Sequence, residues 1–181
     1  MKGVVFTVFV DMIENQYGFD LVDDLIEEAQ LPSKGSYTTV GTYDYQELVT
    51  LVTLLSQKTQ VPAPELVRTF GHHLAGAFTQ KFSGFFEACD NTLDFLQQVD
   101  DHIHVEVNKL YPDAELPTFR YQRIDDTTLD LFYESSRHLA DLAFGLIEAT
   151  GQHYGNRLSI DRQDSEKDGR QHSHFHIKWL Q

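Results

Sequence analysis

The residues best placed to do chemistry are Tyr133, Ser135 and Arg137 in the run YESSR. Alternate side chains share one face of an extended chain. Leu129, Leu131, Tyr133, Ser135 and Arg137 therefore fall on one side of a strand. That side begins with leucines and is expected to face inward. A buried guanidinium needs a partner, because an unpaired buried charge costs several kcal/mol. Arginine's planar fork suits carboxylates and phosphates, and the two hydroxyls can donate to the same anion. Spacing alone leaves two meanings. The row is a cradle for one or two carboxylates, or the strand ends at Ser135 and Arg137 runs out into solvent.

Histidines are the second candidates. His102 shares a helix face with Gln98, Glu106 and Lys109, which reads as solvated. His104 borders an apolar stripe between Ile103 and Val107, where an imidazole is either a core residue or a metal ligand. His172, His174 and His176 alternate with Ser173, Phe175, Ile177 and Trp179. Parity puts the three histidines on the wet face, where a His-x-His pair can hold zinc but more often is solvated. The chain has no nucleophile elbow, P-loop, G-x-G-x-x-G or HExxH, and its carboxylates are scattered. Enzymatic chemistry is not indicated.

The elements that must position these residues follow from hydrophobic period. Val5, Phe9, Met12 and Ile13 repeat at helical spacing up to a stop at Gly18. Leu21, Leu25, Ile26 and Ala29 give a second helix ending before Pro32, and Tyr45, Leu48, Val52 and Leu55 a third. Beyond Pro62 and Pro64, Leu66, Phe70, Leu74, Phe78 and Phe82 form a long stripe. Leu96, Val99, Ile103, Val107 and Leu110 form another, closed by Pro112 and Pro117. The period then changes. TFRYQRI and LDLFYES read as strands joined by a DDTT turn. Leu139, Leu142, Ala143, Leu146, Ile147 and Thr150 give one more helix. RLSID and HSHFHIKWL read as two strands around the polar loop RQDSEKDGRQ. The expected class is α+β: helices first, then an antiparallel four-stranded sheet with one inserted helix, in a single domain over residues 1–181.

Bulk properties narrow the partners. The formal charge of -14 disfavours a nucleic-acid backbone or an anionic membrane and fits a basic protein surface better. Cys89 is the only cysteine, so no intrachain disulfide forms, in keeping with a reducing, cytoplasmic setting. The apolar run of MKGVVFTVFVDM is short and lacks a cleavage site, so no signal peptide is expected. No stretch approaches the roughly 20 apolar residues of a membrane span.

Two stretches together carry a family resemblance. HVEVNKLYPDAELPTF, starting at His104, followed after a hairpin by Tyr133-x-Ser135-x-Arg137, resembles the H-NOX family of heme-NO-binding domains. MKGVVF, TFGHHL and FGLIEAT agree, and the resemblance spans essentially the whole chain. It implies a noncovalently held heme b (iron protoporphyrin IX) buried between the helices and the sheet. His104 is then the proximal iron ligand, and Tyr133, Ser135 and Arg137 hold the propionates. Pro117 presses on the porphyrin, while Val5, Phe9, Leu74, Phe78, Leu142 and Leu146 line the pocket. Oxygen-binding members carry a distal tyrosine at the position of Leu142, with accessory positions at Phe9 and Leu74. All three are apolar here. The resemblance therefore implies a sensor of nitric oxide (binding CO as well) that excludes oxygen, releases His104 and signals to a partner.

Stand-alone relatives regulate a histidine kinase or a cyclic di-GMP enzyme, and the sequence does not choose between them. Many bacterial relatives hold zinc in a C-terminal cysteine cluster that this chain lacks. An oxygen-binding H-NOX protein, a peroxidase-like heme enzyme and a zinc protein built on His172, His174 and His176 stand as alternatives.

Overall fold

The computed structural model describes residues 1–180. Its helices come first: α1 (Gly3–Tyr17), α2 (Phe19–Ala29), α3 (Tyr45–Thr59), α4 (Ala63–Lys81), α5 (Ser83–Glu87) and α6 (Thr92–Gln98). A π-helical turn over Val99–His104 leads into α7 (Val105–Leu110). Strands β1 (Thr118–Asp125) and β2 (Thr128–Ser135), helix α8 (Ala140–His153) and strands β3 (Arg157–Lys167) and β4 (Arg170–Leu180) complete the chain. The sheet is antiparallel, in the order β1-β2-β4-β3. The α+β architecture expected from hydrophobic period is the one observed.

Local chemistry explains the boundaries. Gly18 closes α1 at φ 91°, a conformation that disfavours any side chain. The Asp44 carboxylate accepts from Gln46 N–H at 2.9 Å and starts α3, and Asn91 does the same for Asp94 ahead of α6. The polar run RQDSEKDGRQ departs from expectation. It is not a loop, because β3 and β4 pair through Lys167↔Arg170 and only Asp168 and Gly169 turn. Both have positive φ (53° and 70°), the backbone of a tight two-residue hairpin that Asp-Gly favours. The fourth helix also stops one residue short of the stripe's end, at Lys81, and Phe82 is the junction between α4 and the short separate helix α5.

Two cores form. Phe6, Phe9, Leu25, Leu55, Leu66 and Phe70 anchor one among α1 to α4. Leu93, Leu96, Leu129, Leu131, Phe175 and Ile177 anchor the other between α6, α8 and the inner sheet face. Helices α4 and α8 join them by crossing at Gly71 and Gly145. A Cβ on Gly145 would lie 2.0 Å from the Arg68 carbonyl oxygen, so only glycine permits this approach. Arg68 and Glu148 clasp the outer side of the crossing through two hydrogen bonds of 2.6 and 2.5 Å.

Candidate functional site

Between the two cores lies a cavity of about 320 Å³, within the size range of small-molecule sites. Val5, Leu74, Phe78, Leu142 and Leu146 line it from the helical side, and all pack against the helical core. Val99, Ile103, Phe119, Tyr133, Ala143 and Ile147 line it from the sheet side. His104, Pro117, Ser135 and Arg137 are on its wall as well. One cavity thus gathers ten of the eleven residues singled out from the sequence. Phe9 is the exception. It is fully buried, meets Phe70 edge-on with centroids 5.0 Å apart, and belongs to the helical core rather than to the cavity lining. Helical period put Phe9 on the inward face of α1, and only the family resemblance implied a place for it in the pocket.

His104 ends the π-helical turn. The apolar spacing from Leu96 to Leu110 predicts one continuous α-helix. Instead, the turn interrupts it, as such turns often do at functional positions. The imidazole is mostly buried, with 17% side-chain exposure. Its Nδ1 lies 3.2 Å from Asp100 Oδ1. Burial pushes the imidazole below its ordinary range and the Asp100 hydrogen bond opposes this, with burial prevailing. The ring is therefore neutral at pH 7, as a metal ligand must be. With Nδ1 engaged, Nε2 is the nitrogen left for a ligand. His102 is exposed, as its helix face predicts.

The polar end of the cavity is built on the end of β2. Tyr133 and Ser135 are buried on the inner sheet face with Leu129 and Leu131. Burial pushes the Tyr133 phenol up, against hydrogen bonding with Ser135. Strand β2 stops at Ser135, so Arg137 does not share the strand parity. A turn nonetheless brings it to the same cavity. Ser135 Oγ accepts from Arg137 N–H at 3.1 Å and pins that turn. The Arg137 side chain is only 13% exposed. It donates to the Glu115 main-chain oxygen at 3.0 Å and to Glu115 Oε2 at 2.6 Å. Neither sequence meaning for YESSR is complete: the strand does end at Ser135, and the arginine still turns inward.

The side-chain donors that the start of α1 and α8 bring to the cavity lining are engaged elsewhere: Lys2 Nζ donates to Thr42 Oγ1 at 2.8 Å and to Asp113 Oδ1 at 3.2 Å. Thr150, the hydroxyl on α8, donates to the Leu146 carbonyl at 2.8 Å. On the opposite, outer face of the sheet, His172, His174 and His176 take the parity expected of them. Asp130 Oδ1 lies 2.7 Å from His176 Nδ1 and 3.1 Å from His174 Nε2, and His174 stacks on Phe132. Among the described residues, no group of three or more His, Cys, Asp or Glu side chains is arranged to hold a metal ion.

The sequence profile of the Haem-NO-binding family matches residues 2–162. The chain belongs to this family. It is also similar to the Fe(II) unliganded H-NOX protein from K. algicida, at 34% identity and a TM-score of 0.94, over 100% of this chain and 97% of that one. The S. oneidensis H-NOX protein in its Fe(II)NO state is 27% identical, with a TM-score of 0.92 and full coverage of both chains. An oxygen-binding H-NOX domain related to soluble guanylate cyclases, at 23% identity and a TM-score of 0.86 over 100% of this chain and 96% of that one, shares the fold. H-NOX domains are heme-binding gas sensors, and the cavity fits that group. It offers apolar walls for a macrocycle, a neutral imidazole for iron, and a buried arginine with two hydroxyls for carboxylates. No helix among the described residues is long and apolar enough to cross a membrane.

Three residues at this H-NOX site escaped the sequence reading: Asp100, Glu115 and Phe119. Asp100 precedes His104 by four, a spacing that puts two helical side chains in reach. That signal was present but is common. Glu115 and Phe119 had no local signal. Phe119 lies between the His104 ring (5.8 Å) and the Tyr133 ring (5.5 Å), a contact across elements that only the fold creates.

Proposed function

We propose that this chain is a non-enzymatic heme b gas sensor selective for nitric oxide, with CO as a further ligand. The carrying observation is the asymmetry of the cavity: a mostly buried histidine on one side and, on the other, an apolar helical wall whose Lys2 and Thr150 donors are engaged elsewhere. Heme supplies the ferrous iron that binds the gas. The chain supplies the rest. His104 Nε2 would hold the iron, with Asp100 orienting its ring through Nδ1. Tyr133, Ser135 and Arg137 fix the carboxylate end, where a guanidinium fork and hydroxyls suit two propionates. Pro117 and the apolar residues Val5, Leu74, Phe78, Leu142 and Leu146 exclude water and shape the slot. Distal polarity decides which gas is held. Oxygen needs a donor for the negative charge it acquires, whereas nitric oxide does not, so a dry wall favours the latter.

Signalling follows from where the ligand sits. His104 is carried by the turn between α6 and α7, against β1, while the gas-facing wall belongs to α1, α4 and α8. Release of His104 shifts one set of elements against the other, a two-state change biased by ligand. The reader proposed for that change is a histidine kinase or a cyclic di-GMP enzyme in the cytoplasm. The test is an absorption spectrum of the reduced protein under argon, air and nitric oxide, beside His104→Ala. Indifference to air and a five-coordinate nitrosyl spectrum are expected, with the unliganded spectrum altered by the substitution. A stable oxygen complex of the parent protein sinks the selectivity, and an unchanged His104→Ala spectrum sinks the ligand assignment.

A further inference from the structure

Asp100 sits one turn before His104, and a single oxygen of its carboxylate serves two elements. Oδ1 lies 3.2 Å from His104 Nδ1 and accepts from the Phe119 main-chain N–H at 3.1 Å. The second contact is at the start of β1, nineteen residues further along. The Phe119 side chain in turn packs between the rings of His104 and Tyr133. Asp100 is therefore the point where the histidine-bearing turn is tied to the sheet. Both residues of the pair lie within the π-helical turn Val99–His104.

We infer that Asp100 is a positioning residue that sets the strength of the His104 iron bond and couples that bond to the sheet. The inference rests on His104 being the iron ligand. A carboxylate accepting from the far nitrogen of a ligating imidazole fixes its tautomer and orientation and makes the other nitrogen a stronger donor. The same carboxylate oxygen cannot strengthen its hold on both donors at once. When His104 leaves the iron and rotates, the bond at Nδ1 loosens and Oδ1 is free to tighten on Phe119 N–H. The state of the histidine is thereby passed to β1, and through the Phe119 ring to Tyr133. Asp100 touches neither heme nor gas. It acts through His104.

The test compares Asp100→Asn and Asp100→Ala with the heme-loaded parent protein, with Glu106→Gln as a control that removes a nearby carboxylate paired to Lys109. The iron–histidine stretching frequency of the ferrous protein is read by resonance Raman. Both Asp100 variants are expected to lower it, asparagine less than alanine, and Glu106→Gln to leave it in place. The ratio of five- to six-coordinate nitrosyl is expected to rise about 10-fold, the low end of outer-shell effects at metal sites. Amide exchange supplies a reading independent of the gas. Phe119 N–H is expected to lose protection in Asp100→Ala and to keep most of it in Asp100→Asn, which retains an oxygen acceptor. An unchanged stretching frequency in both variants overturns the inference while leaving His104 as ligand. A His104→Ala protein with an unaltered ferrous spectrum overturns the ligand assignment, and this inference with it.

Discussion

Replacing Gly145 by alanine is expected to lower the unfolding midpoint by roughly 4 to 8 °C, although alanine is the better helix former. The crossing of α4 and α8 sets this sign. A Cβ at Gly145 falls 2.0 Å from the Arg68 carbonyl oxygen, 2.9 Å from its carbon and 3.0 Å from Gly71 Cα. All three are backbone atoms, so no side-chain rotation relieves the clash and the helices must move apart. Overpacking of this kind costs about 3 kcal/mol, offset by about 1 kcal/mol of helix propensity. The remaining ~2 kcal/mol corresponds to roughly 4 to 8 °C in a chain of this size. At Gly76, also in α4, an added methyl would meet nothing within 4 Å. Gly76→Ala is therefore expected to raise the midpoint by roughly 2 to 4 °C. The assay is thermal unfolding by circular dichroism at matched heme occupancy, since a bound ligand shifts the midpoint by itself. The same crossing places Leu74, Leu142 and Leu146 on the cavity wall, so Gly145→Ala is also expected to lose heme faster. A Gly145→Ala midpoint at or above the parent's, moving in the same direction as Gly76→Ala, would refute the reasoning.

The other predictions address the site and its clasp. Leu142→Tyr places a hydroxyl on the dry wall, and on the proposed reading it gains an oxygen complex visible in air. A hydrogen bond to a charged acceptor slows oxygen loss roughly 10- to 100-fold, and a folded variant still blind to air removes Leu142 from the gas-facing wall. Arg137→Ala is expected to release heme roughly 10- to 100-fold faster to a heme-scavenging globin, through loss of charged hydrogen bonds. Arg137→Lys should rescue only part, because an ammonium lacks the fork. Glu148→Gln tests the α4–α8 clasp by pH. Burial pushes the Glu148 carboxyl up, but hydrogen bonds from Arg68 and then His72 outweigh it and hold it below the usual range. A carboxyl held low contributes stability above its unfolded pKa of about 4.3 and loses it as pH falls through the folded value. Because Arg68 is half exposed, the deficit of Glu148→Gln at pH 7 should be about 1 kcal/mol. It should close in denaturant titrations below about pH 4, and a deficit constant from pH 7 to pH 3 contradicts the assignment.

Local rules read from the sequence carried far in this H-NOX chain. Apolar period placed the helices, because burying a stripe is what holds a helix in a fold. Strand parity put Leu129, Leu131, Tyr133 and Ser135 on one face and His172, His174 and His176 on the other, because pleating admits only two sides. The paired motifs around His104 and Tyr133 were legible because they combine rare residues at fixed spacing. What those rules could not decide depends on contacts between distant segments. Arg137 left the strand parity, yet a turn pinned by Ser135 returned it to the cavity. Phe9 and Val5 lie on the same helix, but only the position of α4 made one a core residue and the other a wall. The Asp-Gly hairpin paired a run too polar to signal a strand, because a neighbouring strand, not burial, held it. Asp100 gained its partner at Phe119 only when β1 packed on the turn that bears His104. Spacing along the chain fixed which side chains share a face, since backbone geometry alone sets that. Which faces meet was decided by the tertiary packing, since it rests on the shapes of surfaces built from residues far apart in sequence.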